Sequence, residues 1–177
     1  ICVRLVGSEM CIRDRICTSL SYLPSHEAQH ENYAKKNSSL FWFNELIGYT
    51  SLIPLAVPYR LLRATHMQHH SNTNDPIMDP DYLTKAKNFK NAIWINFFIN
   101  TSGNNLYKDF VEKLEDGQEK KRTILESLLT NIFYWTILII FVWLGFGLEV
   151  ACIWWIPRLI ALGYIRMTLS WAPHHPM

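Results

Sequence analysis

Seven histidines fall in three tight groups and nowhere else: His26 and His30, then His66, His69 and His70, then His174 and His175. Imidazole is the commonest metal ligand among side chains, yet an isolated histidine is ordinarily a satisfied polar residue. Seven confined to three clusters ask for another explanation. In Thr65-His66-Met67-Gln68-His69-His70 the spacings i, i+3 and i+4 put three imidazoles on one helical face, close enough to converge on a metal. His26 and His30 share a face in the same way. Imidazole suits iron, copper, zinc or nickel, so ligand type alone does not choose the metal. Ligand number narrows the choice, because three or four protein ligands satisfy a zinc whereas seven imply two ions. Carboxylates stand close by: Glu27, Glu31, Asp75, Asp79 and Asp81. They can accept the outer N–H of ligating rings and fix their orientation, a role expected first of Glu27, Asp75 and Asp79, or they can be solvated surface groups.

The elements that must position these residues are apolar helices. Across 177 residues the chain is 49% hydrophobic and only 18% charged, high and low respectively for a soluble domain. Its net charge of +2, without a basic stripe, gives no reason to expect nucleic acid. Cys2, Cys11, Cys17 and Cys152 have neither disulfide-framework nor zinc-ribbon spacing. Residues 1–15 stand apart. Leu5 to Asp14 is what the codons of a common library adapter, CTC GTG GGC TCG GAG ATG TGT ATA AGA GAC, would encode. The segment is therefore expected to be non-native.

Taken in order, Ile16 to Leu23 is apolar and stops at Pro24, and Ser25 is the expected N-cap of a helix holding His26 and His30. Leu40 to Ala64 is apolar but broken by Asn44, Glu45, Gly48, Pro54 and Pro58. One crossing there would separate the first two histidine groups by a hydrocarbon core of about 30 Å, so a shared site requires this segment to re-enter or lie along the interface. Asn74 to Asp81 is a turn-rich acidic loop, Ala92 to Ile99 a short aromatic run, and Asn100 to Arg122 polar. Ser127 to Leu148 carries no charge and suits one span; after a turn at Gly145 to Glu149, Val150 to Trp171 returns as a second. The Lys/Arg-rich runs (35–36, 60–63, 85–90 and 108–122) then share the side that holds the histidines, which the positive-inside rule makes cytoplasmic. The expected fold is all-α: a polytopic integral membrane protein whose cytoplasmic or interfacial helices carry the histidines.

These motifs resemble the membrane fatty acid desaturases. His26-Glu27-Ala28-Gln29-His30 looks like that family's first histidine box, H-x-x-x-H, and His66-Met67-Gln68-His69-His70 like its second, H-x-x-H-H. The run from His69 to Asp81 and Trp171-Ala172-Pro173-His174-His175-Pro176 resemble most the bacterial branch that includes β-carotene hydroxylases. The resemblance covers Pro24 to Pro176. It implies a di-iron centre bound by about eight histidines at the cytoplasmic membrane face, here the inner membrane. His26, His30, His66, His69, His70, His174 and His175 would be the ligands. It further implies O2 as co-substrate, electrons from an external ferredoxin- or cytochrome-type donor protein, and a fatty acyl substrate in the bilayer, with a carotenoid as the alternative. The family's final box is absent and is expected beyond Met177, so residues 16–177 are expected to be an incomplete and inactive piece of the domain. Trp42, Phe43, Trp94, Phe97 and Phe98 are candidates to line a substrate tunnel, or to serve as interfacial anchors.

Two other classes fit parts of the pattern. His26-Glu27-Ala28-Gln29-His30 also matches H-E-x-x-H, a zinc protease motif with Glu27 as general base, but that reading leaves most other histidines idle. A non-enzymatic membrane metal-binding protein would call for ionisable groups within its spans, and Ser127 to Leu148 has none.

Overall fold

A computed structural model describes residues 17–99, 111 and 117–174. Segment 1–15, His175 and most of the polar stretch after Ile99 lie outside the described residues. Among the described residues every regular element is helical. Helix α1 spans Tyr22–Gln29, α2 Phe41–Ser51 and α3 Tyr59–Ser71. Helix α4, Phe89–Trp94, runs on as a π turn over Ile95–Ile99. Helix α5 spans Gln118–Trp143, and α6 spans Gly147–His174 with π segments at Ala151–Trp155 and Arg166–Trp171.

Among the described residues, α5 and α6 are the helices long and apolar enough to cross a membrane. The 26 residues of α5 give it a length of about 39 Å, against a hydrocarbon core of about 30 Å. Its apolar stretch is not buried in the protein at all, with Leu128, Ile132, Trp135 and Ile139 all turned outward. A core helix of a soluble protein would hide that face, so α5 calls for a lipid environment. It starts at Gln118 rather than Ser127, because Glu126 is tied to α3. The Glu126 carboxylate accepts from the Tyr49 hydroxyl at 2.7 Å and the Arg60 backbone N–H at 2.8 Å, and pairs with the Arg60 guanidinium at 3.2 Å. It thereby satisfies an N-terminal N–H of α3, whose N-cap, Pro58, offers no side-chain acceptor. The hairpin turn is shorter than the sequence suggests. Gly145 takes φ +90°, a conformation glycine adopts without penalty, and Gly147 already begins α6.

The Leu40 to Ala64 segment folds back on itself. Helix α2 has 11 residues, too few to cross, and a 3-10 turn at Ile53–Leu55 with Ala56 left-handed (φ 52°) redirects the chain into α3. Side chains of α6 satisfy carbonyls freed by that turn: Trp154 Nε1 donates to Pro54 O at 3.0 Å and Arg158 Nε to Leu55 O at 2.6 Å. Tyr22, Ala28, Leu52, Leu55, Tyr59 and Ala161 form the main core, which locks α1, the α2–α3 turn and α6 together. A second cluster, Ala86, Ala92 and Met167, joins α4 to α6, where a side chain at Gly163 would run into the Phe97 ring. Pro24 lies inside α1 rather than before it. It occupies the first turn, where a missing N–H breaks no helical bond, and Ser25 is buried in the helix instead of capping it.

Candidate metal centre

His26, His30, His66 and His70 meet in one group, each offering a ring nitrogen within 4.8 Å of the others. His66 Nε2 lies 2.9 Å from His30 Nε2 and 3.1 Å from His70 Nε2. With metal–nitrogen bonds of about 2.0–2.1 Å, neighbouring ligands at right angles stand roughly 3 Å apart, so this is the spacing a shared ion requires. A neutral imidazole carries a single N–H, which serves one such contact well, whereas a cation satisfies all three facing lone pairs at once. The donor set therefore fits a transition metal. Burial, reinforced by the surrounding rings, pushes His66 down to about 3, and burial first also holds His30 and His70 below the ordinary value of 6.5. His30, His66 and His70 are thus neutral at pH 7, the form that binds metal.

Local sequence explains the meeting. Residues four apart on α3 stack on one face, which pairs His66 with His70. Helix α1 ends at Gln29 with His30 as its C-cap, and Glu31 turns the chain in the left-handed region (φ 57°). The Glu31 carboxylate accepts from the Lys36 N–H at 3.0 Å and from Arg63 at 2.5 Å. Arg63 stands one turn before His66 and also reaches Glu45 of α2 at 3.3 Å. One guanidinium thus bolts the end of the first histidine pair to the helix bearing the second group. In the sequence Arg63 counts only as part of the basic run 60–63, although its spacing of three from His66 places it on the same face.

His69 does not join the four. At roughly 100° per residue, His69 and His70 point to different sides of α3, so the single-face grouping holds for His66 and His70 but splits at His69. Its Nε2 lies 3.2 Å from Nε2 of His174, at the end of α6. Its Nδ1 lies 2.7 Å from Oδ1 of Asp79, and both residues are buried. Asp79 is itself fixed, accepting from the backbone N–H groups of Asn74 and Asp81, each at 2.8 Å. As an acceptor, Asp79 keeps the His69 proton on Nδ1 and frees the Nε2 lone pair toward His174.

The remaining carboxylates divide. Glu27 Oε1 sits 3.1 Å from His26 Nδ1, and Glu27 is held below the usual carboxylate range first by the Asn32 amide and then by His26. Asp75 accepts from the Ile77 and Met78 N–H groups, so it shapes the loop. Asp81 lies 3.9 Å from His69 Nδ1.

Beside His66 opens a cavity of about 290 Å³ whose walls include Leu52, Leu55, Leu62, Leu162, Ile165 and Met78. Gln68 Nε2 donates to Met78 O at 2.8 Å and holds the acidic loop over it. None of the five aromatic residues offered either as tunnel lining or as interfacial anchors borders it. Trp42, Phe43, Trp94 and Phe98 face outward, and Phe97 packs on Gly163. The aliphatic wall comes instead from the α2–α3 turn, α3, the acidic loop and α6.

Among the described residues, an all-helical architecture, two membrane-length helices and a histidine cluster that could hold a metal are the features of a membrane metal-binding protein. The fatty acid desaturase family model matches residues 15–177, and the chain belongs to that family. It is 35% identical over 54 residues to an sn-1 acyl-lipid omega-3 desaturase (ferredoxin) of Nostoc sp. (strain 36), covering 30% of this chain and 14% of that protein. Against a bifunctional fatty acid conjugase/Delta(12)-oleate desaturase of Punica granatum it is 32% identical over 80 residues, 45% of this chain and 19% of the other. A zeaxanthin 4-ketolase of Chlamydomonas reinhardtii is 29% identical over 79 residues, 44% and 17% respectively. The matched stretches thus span less than a fifth of each relative. No solved structure matches.

Proposed function

We propose that this chain is the metal-binding part of an O2-dependent di-iron oxidoreductase acting on a C–H bond of a membrane lipid, with a fatty acyl chain as substrate. The observation that carries the reading is the meeting of four imidazoles beside an aliphatic cavity, with a second imidazole pair one residue away. His26, His30, His66 and His70 would hold one iron; His69 and His174 would contribute to the other. Two nitrogens are fewer than a metal ordinarily takes, so the second ion needs donors beyond those described, His175 among the candidates. What iron would supply here is activation of O2 to take hydrogen from an unactivated carbon, the electrons coming from a ferredoxin- or cytochrome-type protein. The chain's own residues do the rest. Asp79 holds the proton on His69 Nδ1, Arg63 and Glu31 keep the two boxes in register, and the cavity walls exclude water from an alkyl chain. The basic runs support a cytoplasmic site at a bacterial inner membrane.

An acyl substrate is favoured because most of the matching relatives are named as fatty acyl desaturases; the ketolase keeps a carotenoid as the second reading. A zinc protease built on Glu27 accounts for two or three ligands, whereas four imidazoles meet here.

The test is an anaerobic Co(II) titration of the purified chain in detergent. Ligand-field bands typical of nitrogen coordination should appear, and His66→Ala should remove the tighter phase. Binding that is unchanged in that variant would sink the reading.

A further inference from the structure

Two arginines on α6 meet the same problem, an ionised side chain on a membrane-length helix, in different ways. Arg158 donates from Nε to Leu55 O at 2.6 Å and lays its guanidinium over the Trp155 ring at 5.1 Å. Its job is structural. Arg166 has no hydrogen bond or ion pair from its side chain among the described residues, and its Nη1 is buried without a partner. Buried polar groups are nearly always paired, and an unpaired cation within a span is kept only where something else answers it.

Arg166 also borders the cavity beside His66, the one lysine or arginine among the described residues that do. Leu162 and Ser170 border it with Arg166, a spacing of four that drifts around an ordinary helix of 3.6 residues per turn. The π segment Arg166–Trp171 widens the turn and reduces that drift, so the stripe continues toward His174. Two acids border the cavity as well and neither pairs with Arg166: Asp79 serves His69 and two backbone N–H groups, and Asp81 lies 3.9 Å from His69 Nδ1. The cavity is therefore amphipathic: aliphatic over most of its wall, with one donor-rich group that nothing in the wall engages.

We infer that Arg166 is a substrate-recognition residue whose guanidinium hydrogen-bonds the carboxyl-derived oxygen of an acyl lipid while the chain fills the aliphatic remainder. This rests on the acyl-lipid reading above and names the part of the lipid that is read. A free carboxylate and an ester carbonyl offer the same kind of acceptor, and the ligand series below separates them.

Binding of oleate, methyl oleate and octadecene to the purified chain in detergent, followed by displacement of a fluorescent alkyl probe, gives the test. Wild type should bind oleate, or oleate and methyl oleate, more tightly than octadecene. Preference for both assigns an ester-linked lipid, and preference for oleate alone a free acid. Arg166→Met should weaken the preferred ligand about 10- to 100-fold, leave octadecene unchanged, and raise rather than lower the ligand-free Tm, since an unpaired buried charge is removed. Arg166→Lys should recover part of the oleate binding. If octadecene binds wild type as tightly as both oxygenated ligands, the inference is overturned, whether or not the variant folds. Equal losses of oleate and octadecene in Arg166→Met would overturn it too, by showing a packing role. If none of the three binds, the acyl-lipid reading fails with it.

Discussion

The two histidine sets are assembled in opposite ways. His26, His30, His66 and His70 come from two short helices within 45 residues of chain, and their rings lie against one another with centroids 4.5–4.9 Å apart. His69 and His174 are 105 positions apart, and a buried carboxylate rather than a fifth ring orients the first of them. The four-ring set depends on helix periodicity and one guanidinium. The pair depends on a membrane-length helix docking at the right height. One set is local and the other tertiary, so the same perturbation should strike them unequally.

His66→Ala should do the most damage to the four-ring set, because its Nε2 faces two other rings. At least about a 100-fold loss of the tighter Co(II) phase is expected, beyond the 10- to 100-fold typical of outer-shell changes. The pair should keep its weaker phase; losing both phases together would erase the distinction. Asp79→Asn is the reciprocal experiment. It should weaken the pair's phase about 10- to 100-fold by removing the acceptor that fixes the His69 proton, with the tighter phase unmoved.

Acid acts on the four-ring set through protonation. His66 titrates near 3 in the fold against about 6.5 unfolded, and His30 and His70 are lowered as well. Between those values the unfolded chain binds protons that the folded site refuses. Metal-free stability should therefore be level above pH 7 and fall as pH drops from about 6.5 toward 3. A melting series that is flat, or rises on acidification, would contradict the burial of these rings. Arg63→Ala should have the smallest effect, about 1–2 kcal/mol in thermal unfolding, because its pairs with Glu31 and Glu45 are part-exposed. It should slacken the four-ring set before the pair.

Much of the four-ring set was legible in the sequence, since residues four apart on a helix share a face and both boxes obey that rule. The parting of His69 from His70 follows from the same 100° step but needs a partner to reveal it, and His174 is remote in sequence. The outward turn of Trp42, Phe43, Trp94 and Phe98 follows the anchor alternative, the commoner place for aromatic residues in such a sequence, rather than the tunnel wall. Helix spacing put Arg63 on the face of His66, but its partners Glu31 and Glu45 lie 32 and 18 residues away, and only the fold brings them together. The start of α5 shifted because the expected span was bounded by the absence of charge, whereas Glu126, just before it, is held by Arg60 and Tyr49 of its neighbours and continues the helix.

The 105-residue reach from His69 to His174 is also an interval in time. A ribosome working from the N-terminus completes all four residues of the first set at His70, and makes His174 roughly ten seconds later, after both long apolar helices. The four-ring set is therefore complete in the nascent chain before α5 and α6 exist, whereas the pair must wait for both. The order in which the two sets assemble is thus written into the linear order of the gene.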